Sequence, residues 1–215
     1  MTYDVYVIPS NIQVTVETPE GEIITQIRHI ESTGADYDKL NYLNAMSRYV
    51  CSHNPDEKEL VRRFKKVMAR PDQSELITGL AQITGGTAFA VFFGCDLQDA
   101  VVALIVCLMI VLVGRWLSRR EGNPMIYNLI LAFLSEVVIV TAVRSGLGHH
   151  PDRIMIGIVM LLISGLSTTN GIRDLLQKDF ISGSINIMNS MLGASGIAFG
   201  TAIPMILFGG VEAEG

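Results

Sequence analysis

The chain has 215 residues, of which 49% are hydrophobic and only 17% charged, with a mean hydropathy of +0.40. An ordinary soluble domain carries about 25% charged residues. The net charge of −5, without a basic stripe, argues against a nucleic-acid-binding protein. The sequence contains no His-Glu-x-x-His, Gly-x-Ser-x-Gly or Walker motif. It therefore indicates neither an enzyme nor a nucleotide-driven pump, and it predicts no cofactor.

The charges are unevenly distributed along the chain. Residues 1–70 hold nine of the 16 Lys and Arg residues and ten of the 21 Asp and Glu residues, whereas long stretches beyond residue 75 hold almost none. The sequence therefore predicts a cytoplasmic α+β region over residues 1–70 and a transmembrane domain over residues 71–215. The three cysteines are too few and too scattered for a disulfide framework or a cysteine metal site.

The first thirty residues have the pattern of a small antiparallel sheet. Apolar residues alternate over 3–9, and the segments 11–17 and 22–29 are rich in β-branched side chains. Pro19-Glu20-Gly21 lies between the second and third segments as a turn. The pattern predicts a three-stranded β-meander.

Two helices are predicted after the sheet. Asp36 is expected to cap the first, and Asn54 the second, with Pro55 as its first helical residue. The second helix carries an apolar stripe and many basic residues: Leu60, Val61, Phe64, Val67 and Met68 on the stripe, and Arg62, Arg63, Lys65, Lys66 and Arg70 elsewhere. Two interpretations stay open for the basic residues: a solvated face with juxtamembrane charge, or a specific site for anionic lipid or substrate.

Beyond residue 75 the chain has long apolar segments. A transmembrane helix needs about 20 predominantly apolar residues. Five segments qualify, near 76–94, 97–114, 124–143, 154–166 and 183–208. The fourth is short, and the fifth is interrupted by small residues and by Pro204. The sequence therefore predicts an α-helical integral membrane protein with about five transmembrane helices.

The basic residues predict how these segments are oriented. If residues 1–70 are inside, the inner side receives Arg62, Arg63, Lys65, Lys66, Arg70, Arg115, Arg119, Arg120, Arg173 and Lys178. The outer side then receives only Arg144 and Arg153. The positive-inside rule favours this arrangement. We therefore expect a multi-pass protein with its N-terminus in the cytoplasm and its acidic tail, residues 211–215, outside.

Glu136 stands in the middle of the third predicted span. An ionisable group at that depth is costly and commonly faces a cavity or a partner. One interpretation is a carboxylate that couples transport to protons or faces the substrate. The other is a carboxyl group hydrogen-bonded within the helix packing.

The richest polar stretch is 164–171, which interrupts the fourth span with hydroxyl and amide groups and two glycines. Unwound backbone at membrane depth is tolerated where it lines a cavity or is buried in protein, and transporters commonly bind substrates there. The residues predicted to line such a cavity are Ser164, Thr168, Asn170, Arg173 and Asp174, with Asn186 and Asn189 from the fifth span. The alternative is a cytoplasmic helix end with polar caps.

His149 and His150 are adjacent in the loop before the fourth span. Two neighbouring histidines cannot share one helix face, and no third metal-ligating residue lies nearby in the sequence. No metal site is therefore predicted.

Four stretches resemble the threonine/serine exporter (ThrE) family, in its N-terminal YjjP-like module. They are residues 4–15, 38–48, 92–96 and 162–183, the last being the most specific, and the resemblance covers nearly the whole chain. Ser164 stands where the family usually has Pro, and Lys178 where it usually has Gly. The family's first helix, which precedes the strands, is not found, and we expect the chain to lack it.

The resemblance implies a subunit of a secondary transporter in the bacterial plasma membrane. Its substrates would be threonine and serine or related small carboxylates such as dicarboxylates. Export would be driven by the proton gradient. The position of Glu136 in the third span, rather than the resemblance, makes it our candidate for the proton-coupling group. A smaller multi-span subunit of the same superfamily would be its partner, besides membrane lipid. The alternative is a non-transporting assembly subunit that supplies a packing surface and a docking domain to such a partner.

Overall fold

The computed structural model describes residues 2–8, 10–30, 36–71 and 73–208. The chain divides into two compact units, Met1–Ser74 and Glu75–Gly215. It is mostly helical, with one small sheet in the first unit. The predicted tail at 211–215 lies outside the described residues.

The sheet of the first unit consists of β1 (Thr2–Ile8), β2 (Asn11–Glu17) and β3 (Ile23–His29). The strands pair antiparallel in the order β1-β2-β3, with Val14 of β2 opposite Val5 on one side and Gln26 on the other. Gly21 has a φ of 83° in the turn between β2 and β3, in the left-handed region that suits glycine. The predicted meander and its turn are confirmed.

Two helices complete the first unit, α1 (Tyr37–His53) and α2 (Glu57–Met68). Asp36 caps α1 as predicted, accepting a bond from the Lys39 amide at 3.0 Å. The predicted cap of α2 is wrong. Asp56 accepts from the Glu59 amide at 2.9 Å, whereas Asn54 ends α1 with a φ of 42°. Asn tolerates the left-handed conformation that ends a helix, so it serves the preceding helix instead.

The second unit is a bundle of six helices within the described residues: α3 (Glu75–Phe92), α4 (Leu97–Ser118), α5 (Pro124–Arg144), α6 (Pro151–Leu162), α7 (Gly165–Leu176) and α8 (Phe180–Leu207). Three of them, α4, α5 and α8, are long and apolar enough to cross a membrane. The pair α6 and α7, bent by 55° at a short break, can count as a fourth. The first predicted span forms α3, which does not meet the same test, so five spans stay a prediction.

Contacts between residues at different heights of the bundle give the relative directions of two helix pairs. Along α3, Gly79 faces Val111 and Gly86 faces Cys107, so α3 and α4 are antiparallel. Along α5, Asn128 meets Gly193 and Ala132 meets Gly200, so α5 and α8 run parallel. The core between α3, α4, α5 and α6 contains fully buried Ala90, Val106, Leu131, Ile139 and Ile158.

The polar interruption of the fourth span is shorter than predicted. Only Ile163 and Ser164 separate α6 from α7, and helix resumes at Gly165. The hydroxyl groups of Thr168 and Thr169 donate to carbonyl oxygens one turn earlier, at 3.3 and 2.9 Å. Such bonds let polar side chains remain in a helix. Within the predicted interruption at 164–171, only Ser164 therefore lies outside a helix, and the expected unwinding is wrong from Gly165 onward.

Lys178 lies between α7 and α8 with a φ of 68°. This left-handed conformation favours glycine, because a Cβ there crowds the backbone. The family resemblance places Gly at this position, and the geometry gives the physical reason.

Candidate substrate-binding site

A cavity of about 190 Å³ lies at the break between α6 and α7. It is lined by the start of α5, the break itself, the first turn of α7 and the middle of α8: Pro124, Asn128, Ile163, Ser164, Ser167, Thr168, Asn189, Ser190, Gly193 and Ala194. The polar groups of this lining are hydroxyls and amides, and none of these residues is charged. The cavity is smaller than the roughly 300–1,000 Å³ of pockets for drug-sized ligands. It suits a small, polar, uncharged or zwitterionic molecule.

One wall of the cavity is fixed by the contact between α5 and α8. Asn128 is buried, and its side-chain nitrogen donates to the carbonyl oxygen of Gly193 at 3.2 Å. A Cβ at Gly193 would lie 3.1 Å from that nitrogen. The glycine therefore permits the close approach that holds the amide at the edge of the cavity.

The opposite wall is the N-terminus of α7. Ser164 is the N-cap, its side chain makes no capping bond, and its hydroxyl lies 2.8 Å from that of Ser167. The first amides of a helix lack intrahelical acceptors, and the helix dipole places partial positive charge there. This end of the cavity can therefore attract a carboxylate without a cationic side chain.

The structure divides the residues predicted to line a cavity. Ser164, Thr168 and Asn189 line it together. Asn170 and Arg173 are exposed on α7 and are not among its lining residues. Asp174 instead accepts a bond from Asn186 at 3.1 Å across the α7–α8 contact, so Asn186 and Asn189, predicted to act on one face, have different neighbours.

Glu136 is separate from the cavity and deeply buried. Its side chain lies in α5, its relative exposure is 4%, and its Oε2 atom has no hydrogen-bond partner among the described residues. Asn128, Ala132 and Glu136 follow one another at four-residue spacing, and the first two face α8. Glu136 thus lies on the same face of α5, about 12 Å along the helix axis from Asn128.

Sequence reasoning missed a second polar cluster, at the other end of the bundle. This Asp/His cluster consists of Asp96, Asp99, His149 and His150. Asp99 is fully buried, and its Oδ1 accepts from the amides of His149 and His150 at 2.7 and 3.2 Å. The ring nitrogens Nδ1 of His150 and His149 lie 2.9 Å from Asp99 Oδ2 and Asp96 Oδ2.

The expectation that no third metal-ligating group lies near the histidines is therefore wrong. Asp96, Asp99 and His149 offer ligand atoms within 4.8 Å of one another. These atoms already accept or share hydrogen bonds, so the cluster as it stands joins the loop before α4 to the loop before α6. The Asp99 amide and the His149 ring hold the pKa of Asp96 below its usual range. The spacing Asp96-x-x-Asp99, a capping box at the start of α4, was the available sequence signal.

Apolar helices of membrane-spanning length around a small polar cavity are typical of multi-pass membrane transport proteins. The family model of the threonine/serine exporters, ThrE, matches residues 1–208, and the chain belongs to this family. The resemblance predicted from the four sequence stretches is thereby confirmed. No curated protein and no solved structure matches the chain significantly. Membership in a transporter family indicates transport rather than catalysis.

Proposed function

We propose that the chain is a subunit of a secondary exporter of small neutral amino acids, with threonine and serine as substrates. The cavity at the α6–α7 break carries this proposal, because it combines hydroxyl and amide groups with a helix N-terminus. In transporters with broken helices, half-helix N-termini bind the substrate carboxylate. The α7 amides would take the carboxylate, and side-chain oxygens such as those of Asn128 and Asn189 the ammonium group.

The uncharged lining supports an amino acid over a dicarboxylate. A dianion in a cavity without Lys or Arg would leave one carboxylate without a compensating charge, which is costly. A zwitterion brings its own opposite charge. Threonine and serine also add a hydroxyl group that Ser164, Ser167 and Thr168 can bind.

The proposed driving force is the proton gradient, with Glu136 as the proton carrier. An ionised carboxylate buried without a partner is costly, so the proposal has Glu136 bind a proton in at least one transport state. Glu136 lies between the cavity, near the start of α5, and Arg144 at its end. A proton bound to Glu136 can change how α5 packs on α8. The two helices approach closely one turn away, where Ala132 contacts Gly200.

The proposed membrane arrangement has five spans in the plasma membrane of a bacterium, with α3 as the first. Support comes from α3 itself, which packs antiparallel to α4, as two consecutive spans would. Basic Arg115 and Arg119 lie beside Glu75, where α3 begins and α4 ends. Under the positive-inside rule this concentration of cations supports a cytoplasmic location for that end. The cavity would then open inward, the side from which an exporter loads.

The test is proton-driven threonine efflux from proteoliposomes that hold the chain and its proposed smaller multi-span partner. Thr168→Val removes a cavity hydroxyl and should raise KM about tenfold, the value of one hydrogen bond. Thr84→Val is the matched control, because that hydroxyl is exposed on α3 and bonds its own helix in the same way. Equal effects of the two variants would contradict the cavity assignment.

Glu136→Gln separates coupling from binding. It should abolish stimulation by a pH gradient while threonine counterflow, which needs no net proton movement, continues. Efflux that still follows the pH gradient would overturn the role of Glu136.

The alternative, a non-transporting assembly subunit, is favoured by the apolar side chains that the first unit leaves exposed, such as Tyr3 and Ile23. Under that hypothesis Thr168→Val and Glu136→Gln leave transport by the assembled complex unchanged.

A further inference from the structure

Part of the apolar stripe predicted for α2 is left exposed by the described residues, and this part, hereafter the stripe, consists of Val61, Phe64 and Met68. Val61, Phe64 and Met68 are 42%, 46% and 50% exposed. Their spacing of three and four residues places them in one line along the helix. Val67, predicted to belong to the same stripe, lies instead on another side, where it lines a groove with Tyr42 and Met46 of α1. The contact with α1 therefore does not use the stripe.

The basic residues of α2 fall into two groups. On the α1 side, Arg63 pairs with Glu59 at 2.8 Å and stacks on Tyr49. The second group borders the stripe, where Lys58, Arg62 and Lys65 line a shallow concavity with Val61 and Glu57. Three cations there outnumber one carboxylate. Lys58 and Lys65 are exposed, and within the described residues neither forms an ion pair. Their charge remains available for an external anion.

A short segment of chain connects α2 to α3, the helix that begins beside the basic end of α4. Met68 and Glu75 are seven residues apart, which limits their separation to about 25 Å. Arg115, near the end of α4, donates to the carbonyl oxygen of Glu75, and Arg119 lies 4.0 Å from its carboxylate. The chain that follows α2 therefore leads within seven residues to the basic end of α4, one of the helices apolar enough to span.

We propose that this face of α2 docks on an anionic phospholipid surface. Val61, Phe64 and Met68 enter the boundary between headgroups and acyl chains, and Lys58, Arg62 and Lys65 bind the lipid phosphates. An apolar line bordered by cations is the pattern of helices that lie in the membrane interface. Lipid is the occupant that complements both features at once, because it offers anionic headgroups directly above hydrocarbon. The inference is independent of the cavity and of Glu136.

A single tryptophan can report this docking in the full chain. Trp116 is the only tryptophan, so Trp116→Phe combined with Phe64→Trp leaves one reporter on the stripe. The protein is placed, one copy per disc, in nanodiscs of phosphatidylcholine alone or mixed with phosphatidylglycerol, both with brominated acyl chains. We expect strong quenching in the mixed discs, little in phosphatidylcholine, and its reversal by salt.

Two matched variants test the charges. Lys58→Gln with Lys65→Gln should lower the ratio of docked to free α2 about 25-fold, roughly fivefold per cation near an anionic surface. Arg28→Gln with Arg48→Gln removes two exposed cations from β3 and α1 and should leave the ratio unchanged. In the chain without substitutions, tryptic cleavage after Arg62 and Lys65 should slow in the mixed discs by the same docked fraction.

Three outcomes would overturn the proposal. Equal quenching in both lipids, unaffected by either variant, means that anionic headgroups do not bind the cations. Protection from aqueous iodide without quenching by the brominated chains means that protein covers the stripe. Free access of iodide in both lipids means that nothing covers it.

Discussion

The two units of this chain treat apolar side chains in opposite ways. Among its described residues the first unit buries none, and Val5, Ile24 and Phe64 are each about half exposed. The second unit fully buries Ile139 and Ile158, among others. Hydrophobic composition alone therefore does not distinguish a core from a surface that awaits a partner.

The first unit is held instead by local and directional contacts. Its sheet is fixed by strand pairing, α1 by the Asp36 cap, and the α1–α2 pair by arginines stacked on Tyr42 and Tyr49. The bundle is held by close helix packing, which glycines permit. Resistance to unfolding should therefore come mainly from the bundle, since the first unit leaves its apolar faces exposed.

The largest expected effect is a core truncation in the bundle. Ile158→Ala should lower the free energy of unfolding in detergent by about 2 kcal/mol. This is the low end of the range for truncation of a buried Ile, because in a membrane protein the side chain moves into the core from an apolar surrounding rather than from water. Phe64→Ala, its counterpart in the first unit, should change it by about 0.5 kcal/mol. The measurement is equilibrium unfolding by circular dichroism. A larger effect of Phe64→Ala would show a hidden core in the first unit.

The second prediction tests the glycine contacts. A Cβ at Gly157 of α6 would lie 2.7 Å from the Cβ and backbone nitrogen of Ala90, whereas Gly85 of α3 has open space. Gly157→Ala should therefore cost about 1–2 kcal/mol by pushing α6 away from α3. Gly85→Ala should stabilise by up to about 1 kcal/mol through helix propensity. The same unfolding curves measure both. Opposite signs support tight packing in the bundle, and two similar changes would refute it.

Long elements could be predicted because their signals are repeated many times along the sequence. The strands follow from alternation, and α4, α5 and α8 from apolar length. The ends of elements depend on one or two residues, and there the sequence was ambiguous. Asn54 and Asp56 are both good caps two residues apart, and only the left-handed φ of Asn54 decides which helix each one serves.

The candidate site was predictable only in part, for a related reason. The hydroxyl groups at the α6–α7 break stand together in one polar stretch of sequence, so Ser164 and Thr168 could be predicted from it. Asn128 looks like any amide in α5 until Gly193, 65 residues later, accepts its bond. The Asp/His cluster likewise joins residues 50 positions apart, which no local pattern brings together.

The smallest expected effect is the response of one capping carboxylate in each unit to acidic pH. The backbone amide of Lys39 lowers the pKa of Asp36 in the first unit, and the amide of Asp99 lowers that of Asp96 in the second. Because the pKa is lower in the folded chain, each carboxylate stabilises the fold fully at a pH above its ordinary pKa of about 3.8. This stabilisation is lost as the pH falls through the lowered pKa of the folded chain. We therefore expect the amide resonances of Lys39 and Asp99 to titrate with midpoints below 3.8.

Protonation of the two carboxylates should affect different numbers of neighbouring residues. The Asp/His cluster joins two loops, whereas the Asp36 cap contacts only the start of its own helix. Protonation of Asp96 should also shift the His149 ring, 53 residues away in sequence, whereas protonation of Asp36 should affect only the first turn of α1. Asp96→Asn should remove the Asp99 and His149 responses and leave that of Lys39. A midpoint for Asp99 above 3.8, or a His149 response that survives in Asp96→Asn, would mean that the cluster does not hold the loops together in solution.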